Sequence, residues 1–334
     1  MVKGRVLKQS VVLFALVSFA FAHSGCIQSE TVGDAVSQGS CAIELIVLGA
    51  GQDAGAPQIG NAGDRAWRDP SLRQTATSIA LVDHTLRKRY LFEATPDITR
   101  QLKLLDELAP SDASGLGLSG IFLTHAHIGH YAGLMFFGRE AAGADRIKVH
   151  AMPRMASYLR ENGPWEQLIQ LENIELSDLK NQSAVSLSQG IKVTPYRVPH
   201  RDEYSETVGF VIDTHEKSAL FLPDIDSWAE WEQGFEIRLE NVIRQVDLAF
   251  VDSTFFDNNE LPGRDMKLIP HPRVATTMDR LYNEPLEIKS RIQFIHYNHT
   301  NPIRFIDSAE TNEVLQRGYN IARAGDRHCL SSTP

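Results

Sequence analysis

Three histidines fall within six positions in Thr124-His125-Ala126-His127-Ile128-Gly129-His130, where an apolar run ends and a helical one begins. On extended backbone, residues two apart face the same side, so His125 and His127 can aim their imidazoles at one point. His130 follows three residues later, on the first turn of the next helix. Three imidazoles crowded at a strand end are a donor set for a borderline-soft divalent metal. With 12 histidines in 334 residues, chance does not readily place three so close together.

Three further ligand-type residues stand directly after apolar runs. His200 sits in Val198-Pro199-His200-Arg201-Asp202, Asp224 in Leu222-Pro223-Asp224-Ile225-Asp226, and His296 in Ile295-His296-Tyr297-Asn298-His299. Singly, each has an ordinary role: a loop histidine, a helix cap before Trp228, a core histidine. Their shared placement favours ligation.

The elements that must position these residues alternate short β-rich runs with loops and helices. Strands are expected over 43–48, 77–82, 90–93, 121–123, 192–198, 208–213, 219–222, 248–251 and 292–295. Helical spacing points to 96–108, 131–142, 154–162, 227–244, 274–282 and 309–318. The early strands come in hairpin-like groups, and a helix follows only some of them. That pattern predicts packed mixed sheets flanked by helices rather than a strict parallel βαβ succession. A glycine-rich loop, Gly49-Ala50-Gly51-Gln52-Asp53-Ala54-Gly55-Ala56-Pro57, follows the first strand. No helix opens after it, which argues against a dinucleotide fingerprint. Its glycines suit close backbone approach at the floor of a site. Trp67, Trp165, Trp228 and Trp231 are read as core more than pocket lining.

Residues 1–25 have the form of an export signal. Lys3, Arg5 and Lys8 precede Val11 to Ala22 (VVLFALVSFAFA), twelve uncharged residues. A spanning helix needs about 20; an export signal's apolar stretch is shorter. Ala20-Phe21-Ala22 suits an ordinary signal peptidase, and Ser24-Gly25-Cys26 suits lipidation at Cys26; both remain open. Residues 26–42 then form a polar tether and 43–334 the working domain. The expected location is periplasmic, free or lipid-anchored, with membrane contact only through Cys26. Lipidation there would leave Cys41 and Cys329 to pair. With 33 Lys and Arg against 42 Asp and Glu, the net charge is −9. No global attraction to nucleic acid follows from that balance, and a small-molecule substrate is expected.

The order of strand, glycine-rich loop, histidine cluster, His200, Asp224 and His296 resembles the metallo-β-lactamase superfamily. The resemblance covers roughly 43–325 and implies an αββα sandwich, two mixed β-sheets flanked by helices, with metals at one sheet edge. Val198 to Glu203, Leu248 to Phe256, His296 to Pro302 and Ala56-Pro57-Gln58 look like the pyrroloquinoline quinone biosynthesis protein B branch. The superfamily pattern implies one metal on His125, His127 and His200, and a second on His130 and His296 with Asp224 bridging. It assigns chemistry to Asp224 and His130, with Asp224 orienting an activated water or taking its proton.

Zn2+ is the expected ion, with Fe2+ or Mn2+ as alternatives. The pattern also wants an aspartate at 129, where this chain has Gly129. A weaker second metal is therefore expected, tightened by Gly129→Asp if the backbone accepts a side chain. Asp53, Asp226 and His299 are the residues that could replace the missing carboxylate. Hydrolysis is the leading activity, with His271, His299 and Tyr204 as candidate leaving-group acids. An iron-dependent hydroxylation, implied by the branch, and a non-catalytic metal-binding lipoprotein are the alternatives.

Overall fold

The computed structural model describes Met1 and residues 41–113, 115–188 and 190–333. The expected export signal, Cys26 and nearly all of the tether lie outside the described residues. The tether's last two residues, Cys41 and Ala42, belong to the first strand.

Strands β1 (Cys41–Gly49), β2 (Ser78–Asp83), β3 (Lys88–Phe92), β4 (Gly120–Phe122), β5 (Ile147–Ala151) and β6 (Ile174–Asp178) lie side by side in one sheet. A second sheet holds β7 (Val185–Ser188), β8 (Ile191–Arg197), β9 (Val208–Asp213), β10 (Ser218–Leu222), β11 (Leu248–Asp252), β12 (Ile292–Ile295) and β13 (Asn320–Ile321). The last strand, β14 (Arg327–Ser332), returns to the first sheet and pairs antiparallel with β1. Both sheets are mixed. Pairing from β1 to β3 is antiparallel and from β3 to β6 parallel. Likewise β7 to β10 pair antiparallel and β10 to β13 parallel.

Strand parity explains the layering. In β1, Leu45 and Val47 join the core between the sheets, while Ile46 and Leu48 join the core under the helices of the first sheet. Alternate residues of a strand point to opposite faces, so a strand apolar on both faces must be covered twice. Aromatic rings lock the two sheets together: Phe92 stacks on Phe122 at 5.0 Å and meets Phe210 edge-on at 5.5 Å. Truncating a ring so placed costs about 3–5 kcal/mol.

The helices are α1 (Ile98–Leu108), α2 (Ile128–Tyr131), α3 (Pro153–Glu161), α4 (Trp165–Gln170), α5 (Trp228–Phe235), α6 (Leu239–Gln245), α7 (Val274–Arg280), α8 (Leu286–Lys289) and α9 (Ala309–Gln316). Ile98 and Leu105 of α1 and Met155 and Leu159 of α3 cover the first sheet. Trp228, Trp231, Leu239, Ile243, Val274 and Met278 from α5, α6 and α7 pack with the second. The metallo-β-lactamase-type sandwich expected from the resemblance is thus present.

Several elements differ from expectation. The single helix over 227–244 is two, because Glu236 turns left-handed at φ 57° and ends α5. The helix over 131–142 is one α-turn, α2, followed by a 3-10 run over Ala132–Phe137. Cys41 and Cys329 are joined by a disulfide across β1 and β14, making the pair that the cysteine count suggested. Among the described residues, no helix is long and apolar enough to cross a membrane.

Candidate metal centre

Strand direction brings the site together. Strands β10, β11 and β12 are parallel, so Asp224, Asp252 and His296 emerge at one end of the sheet. Strand β8 runs the same way as β10, since each is antiparallel to β9, and it delivers His200 to that end. In the other sheet β3 and β4 are parallel and deliver Glu93 and His125. The N-cap of α2 is His127, and His130 lies within that helix.

One cluster consists of His125, His127 and His200. His127 Nδ1 lies 2.8 Å from His125 Nε2 and 3.2 Å from His200 Nε2. Each ring's remaining nitrogen is held from behind. Thr124 Oγ1 meets His125 Nδ1 at 2.8 Å, Asp226 Oδ1 meets His200 Nδ1 at 2.9 Å, and Glu203 Oε2 meets His127 Nε2 at 3.2 Å. Outer partners of this kind fix the tautomer and orientation of ligating histidines.

The second cluster centres on Asp224. Its Oδ2 lies 3.0 Å from His130 Nε2 and 3.3 Å from His296 Nε2, yet these three buried atoms make no hydrogen bond. Buried polar atoms are normally paired. Ligand-type atoms converging in a buried space without satisfied hydrogen bonds suit a cation, so the donor set fits a metal. Behind them, Thr254 Oγ1 stands 3.1 Å from His296 Nδ1, and Glu93 Oε1 stands 3.3 Å from His130 Nδ1. Asp224 also joins the two clusters, with Oδ2 3.9 Å from His125 Nε2 and Oδ1 3.7 Å from His200 Nε2.

A carboxylate stands beside Gly129 after all, but it comes from another segment. Asp53, in the glycine-rich loop, places Oδ1 3.5 Å from His130 Nε2 and groups with His130 and His296. The loop reaches there because it packs tightly on its neighbours. At Gly55, where φ is 67°, a β-carbon would come within 2.1 Å of the Gln74 carbonyl oxygen. Asp226 is occupied behind His200, and His299 Nδ1 is 2.8 Å from Asn298 Oδ1, outside the cluster. Of the three candidate replacements, only Asp53 reaches the second cluster.

The electrostatics follow from crowding charge in a buried space. Burial pushes the Asp224 carboxyl up, but His296, His130 and His200 outweigh it and hold the group well below the usual range. Burial opposes charge on His130, but Asp224 and Glu93 outweigh it and hold that imidazole well above its usual range. Burial, then the charge of His130, drives His125 well below its usual value. The backbone is strained at the same place: Asp53, Glu93, Arg201, His271 and His296 all have positive φ. Such residues cost about 1–3 kcal/mol each and persist where surrounding structure holds them.

All six ligand-type residues, His125, His127, His130, His200, Asp224 and His296, converge at one sheet edge. Tyr204 is exposed and packs on Tyr158. His271 belongs to the cluster, with Nδ1 2.7 Å from Asp252 Oδ2 and 3.6 Å from Asp224 Oδ1. Glu93, Asp252, Thr254 and Glu203 had no assigned role in the sequence reading. A carboxylate ending an apolar strand, as at Glu93 and Asp252, was the available signal. A cavity of about 1030 Å3 lies elsewhere, around Arg87, Lys148 and His150, and shares no residue with the cluster.

Residues 88–297 match a beta-lactamase superfamily domain. The chain is 26% identical over 309 residues to a coenzyme PQQ synthesis protein B from Rhizobium meliloti, covering 85% of this chain and 96% of that one. A protein of the same name from Pseudomonas putida is 27% identical over 314 residues, covering 84% and 97%. Among solved structures, Zn(2+)-bound PqqB from Methylobacterium extorquens superposes with a TM-score of 0.70 at 20% identity, covering 86% of this chain and all of that one. A diphosphatase from the PhnP family gives 0.58 at 22% identity, covering 86% and 98%. At these identities the solved structures establish the fold.

Proposed function

The chain belongs to the beta-lactamase superfamily, and from that premise we propose that it is a metal-dependent hydrolase acting through an activated water on a small-molecule substrate. The observation that carries this reading is the convergence of His130 Nε2, His296 Nε2 and Asp224 Oδ2, all buried and without hydrogen-bond partners. In the proposal, His125, His127 and His200 hold one divalent ion, leaving a further position open as a catalytic zinc site requires. His130, His296 and Asp53 hold a second, with Asp224 between the two. A bound divalent ion supplies a Lewis acid and lowers the pKa of water from 15.7 to about 7. Asp224, kept ionised by the surrounding imidazoles, orients the water or takes its proton on a carboxylate oxygen. His130 is held by Glu93 from behind and fixes Asp224 from the front. Zinc is the favoured ion because three imidazoles suit it. The proposal extends to export, with processing near residue 23 or lipidation at Cys26; the Cys41–Cys329 disulfide supports an oxidising compartment.

Metal analysis of purified full-length protein, with a panel of thioester, lactone, β-lactam and phosphodiester substrates, tests the reading. Metal and turnover should fall together in His125→Ala. Unchanged turnover in metal-free protein would sink it. A second reading, an iron-dependent oxygenase in coenzyme PQQ synthesis, draws support from the relatives' similarity over most of the chain. The two-histidine, one-carboxylate set of His130, His296 and Asp224 suits it as well. It requires iron and turnover that consumes dioxygen, which the same preparations would reveal.

A further inference from the structure

Beside the metal centre lies a cleft of about 440 Å3, lined by Gln52, Gln58, Arg201, Arg264, His271 and Asn298 among others. His271 belongs to both places. Its Nδ1 is 3.6 Å from Asp224 Oδ1, and its ring centroid is 5.2 Å from that of His200. In a chain with more acids than bases, no aspartate or glutamate lines this cleft, while two arginines do.

The two guanidiniums differ from the structural arginines around them. Arg273 donates to the carbonyls of Met266, Ile269, Pro270 and His271, which fixes the wall of the cleft from behind. Arg304 is buried in a pair with Asp64. By contrast, among the described residues neither the Arg201 nor the Arg264 guanidinium has a hydrogen-bond acceptor or a carboxylate within salt-bridge distance; Arg201 is tied through its backbone, its N–H donating to Asp226 Oδ2 at 3.3 Å and its carbonyl accepting the Glu203 N–H. Asp226, Glu203 and Glu260 sit outside the lining. The Glu203 carboxylate faces His127 Nε2, and the Glu260 carboxylate accepts from Phe256 N–H and the Thr300 hydroxyl.

Unpaired guanidiniums in a polar cleft without carboxylates are placed to receive an oxyanion, which arginine grips through paired N–H donors. We propose that this cleft binds a phosphate or carboxylate group of the substrate through Arg201 and Arg264, presenting the bond to be broken across His271 toward Asp224. The assignment rests on the metal-dependent reading for what happens at Asp224, but not for the anion binding itself.

The test is calorimetry on zinc-loaded full-length protein with three probes: phenyl phosphate, benzoate and neutral benzyl alcohol. One or both anions should bind and the alcohol should not. The preferred anion distinguishes a tetrahedral from a planar partner. Arg264→Gln and Arg201→Gln should each weaken the anion by about tenfold or more, as expected for a lost charge-assisted bond. Arg264→Gln should leave zinc content unchanged, and the exposed Arg68→Gln should leave binding unchanged. Failure of both anions to bind, or equal affinity in wild type, Arg201→Gln and Arg264→Gln, overturns the assignment. Repeating the titration on chelator-stripped protein separates the two readings. Arginine-dependent binding in a protein that never takes up metal keeps the anion site and removes the metal reading. Metal uptake with arginine-independent binding does the reverse.

Discussion

A β-carbon built on Gly129 would lie 2.5 Å from the Cα of Asp53 and 2.6 Å from its Oδ1. Gly129 is not among the residues with positive φ, so its own backbone would tolerate a side chain. The obstacle is Asp53, which fills the space. The expectation that Gly129→Asp tightens the second metal is therefore reversed. The single variant should lose about 1–3 kcal/mol to overpacking and bind the second metal more weakly. Combining it with Asp53→Gly should recover both losses by moving the carboxylate back across the gap. Thermal melts beside zinc titrations of chelator-stripped protein check this. Tighter second-site binding in Gly129→Asp alone, at unchanged stability, would show that Asp53 does not take the carboxylate's place.

Asp226 tests the first site without being a ligand itself. It holds His200 Nδ1 at 2.9 Å and accepts the Arg201 backbone N–H, so it fixes both the tautomer and the turn. Loss of such an outer partner typically costs 10–100-fold in metal affinity, and Asp226→Asn should cost about that much. Competition against a chromophoric chelator measures it. Unaltered affinity would mean that the ring is held by its neighbours alone.

The convergence was readable chiefly because His125, Asp224 and His296 stand close behind short apolar strands buried on both faces, β4, β10 and β12, while β8 before His200 is less apolar, with Lys192 exposed. Strands β9 and β12 fall where the periodicity put them, and β1, β2, β8, β10 and β11 differ by a residue or two at their ends. The strands that escaped notice are chiefly those with one neighbour. Strands β6, β7, β13 and β14 are the sheet edges, half-exposed and carrying runs such as Val185-Ser186-Leu187-Ser188 that have little apolar signal. Strand β5 is interior but carries Lys148 and His150, which mask it. Asp53 was named only as one of three substitutes, because the choice depends on a loop crossing from β1 to α2. Sequence spacing carries no information about that crossing.

His150 predicts an acid limb to stability that has nothing to do with metal. Its ring stacks on Phe122 at 4.3 Å, and burial, aided by Lys148, pushes its pKa down to about 4. In the unfolded chain the group titrates near 6.5. Between those values the unfolded state binds the extra proton, so stability is full above pH 6.5 and falls as pH drops toward 4. The loss at the bottom of that window is about 2–3 kcal/mol. His150→Leu should remove this dependence. Denaturant midpoints at pH 7.5 and pH 4.5 for both proteins check it. An identical drop in the variant would place the titrating group elsewhere.

The Cys41–Cys329 disulfide ties the first described strand to the last, across a sequence separation of 288. Both cysteines are in strands already hydrogen-bonded to each other, with Glu44 opposite Cys329 in the register. The bridge therefore adds little to the native geometry and acts mainly on the unfolded chain, whose ends it holds together. Large closed loops restrict the unfolded state most, and removal of a bridge of this kind typically costs about 2–4 kcal/mol. Edge strand β14 should feel the loss first, since no strand flanks its other side, which side chains of Thr214, Glu216 and Lys217 meet instead. Reductant should lower the denaturant midpoint of wild type and leave Cys41→Ser/Cys329→Ser, already at the lower value, unmoved. Hydrogen exchange along 327–332 should rise in both reduced wild type and the double variant. A midpoint insensitive to reductant in wild type would show that strand pairing alone holds β14, and a shift in the double variant would assign the effect to Cys26.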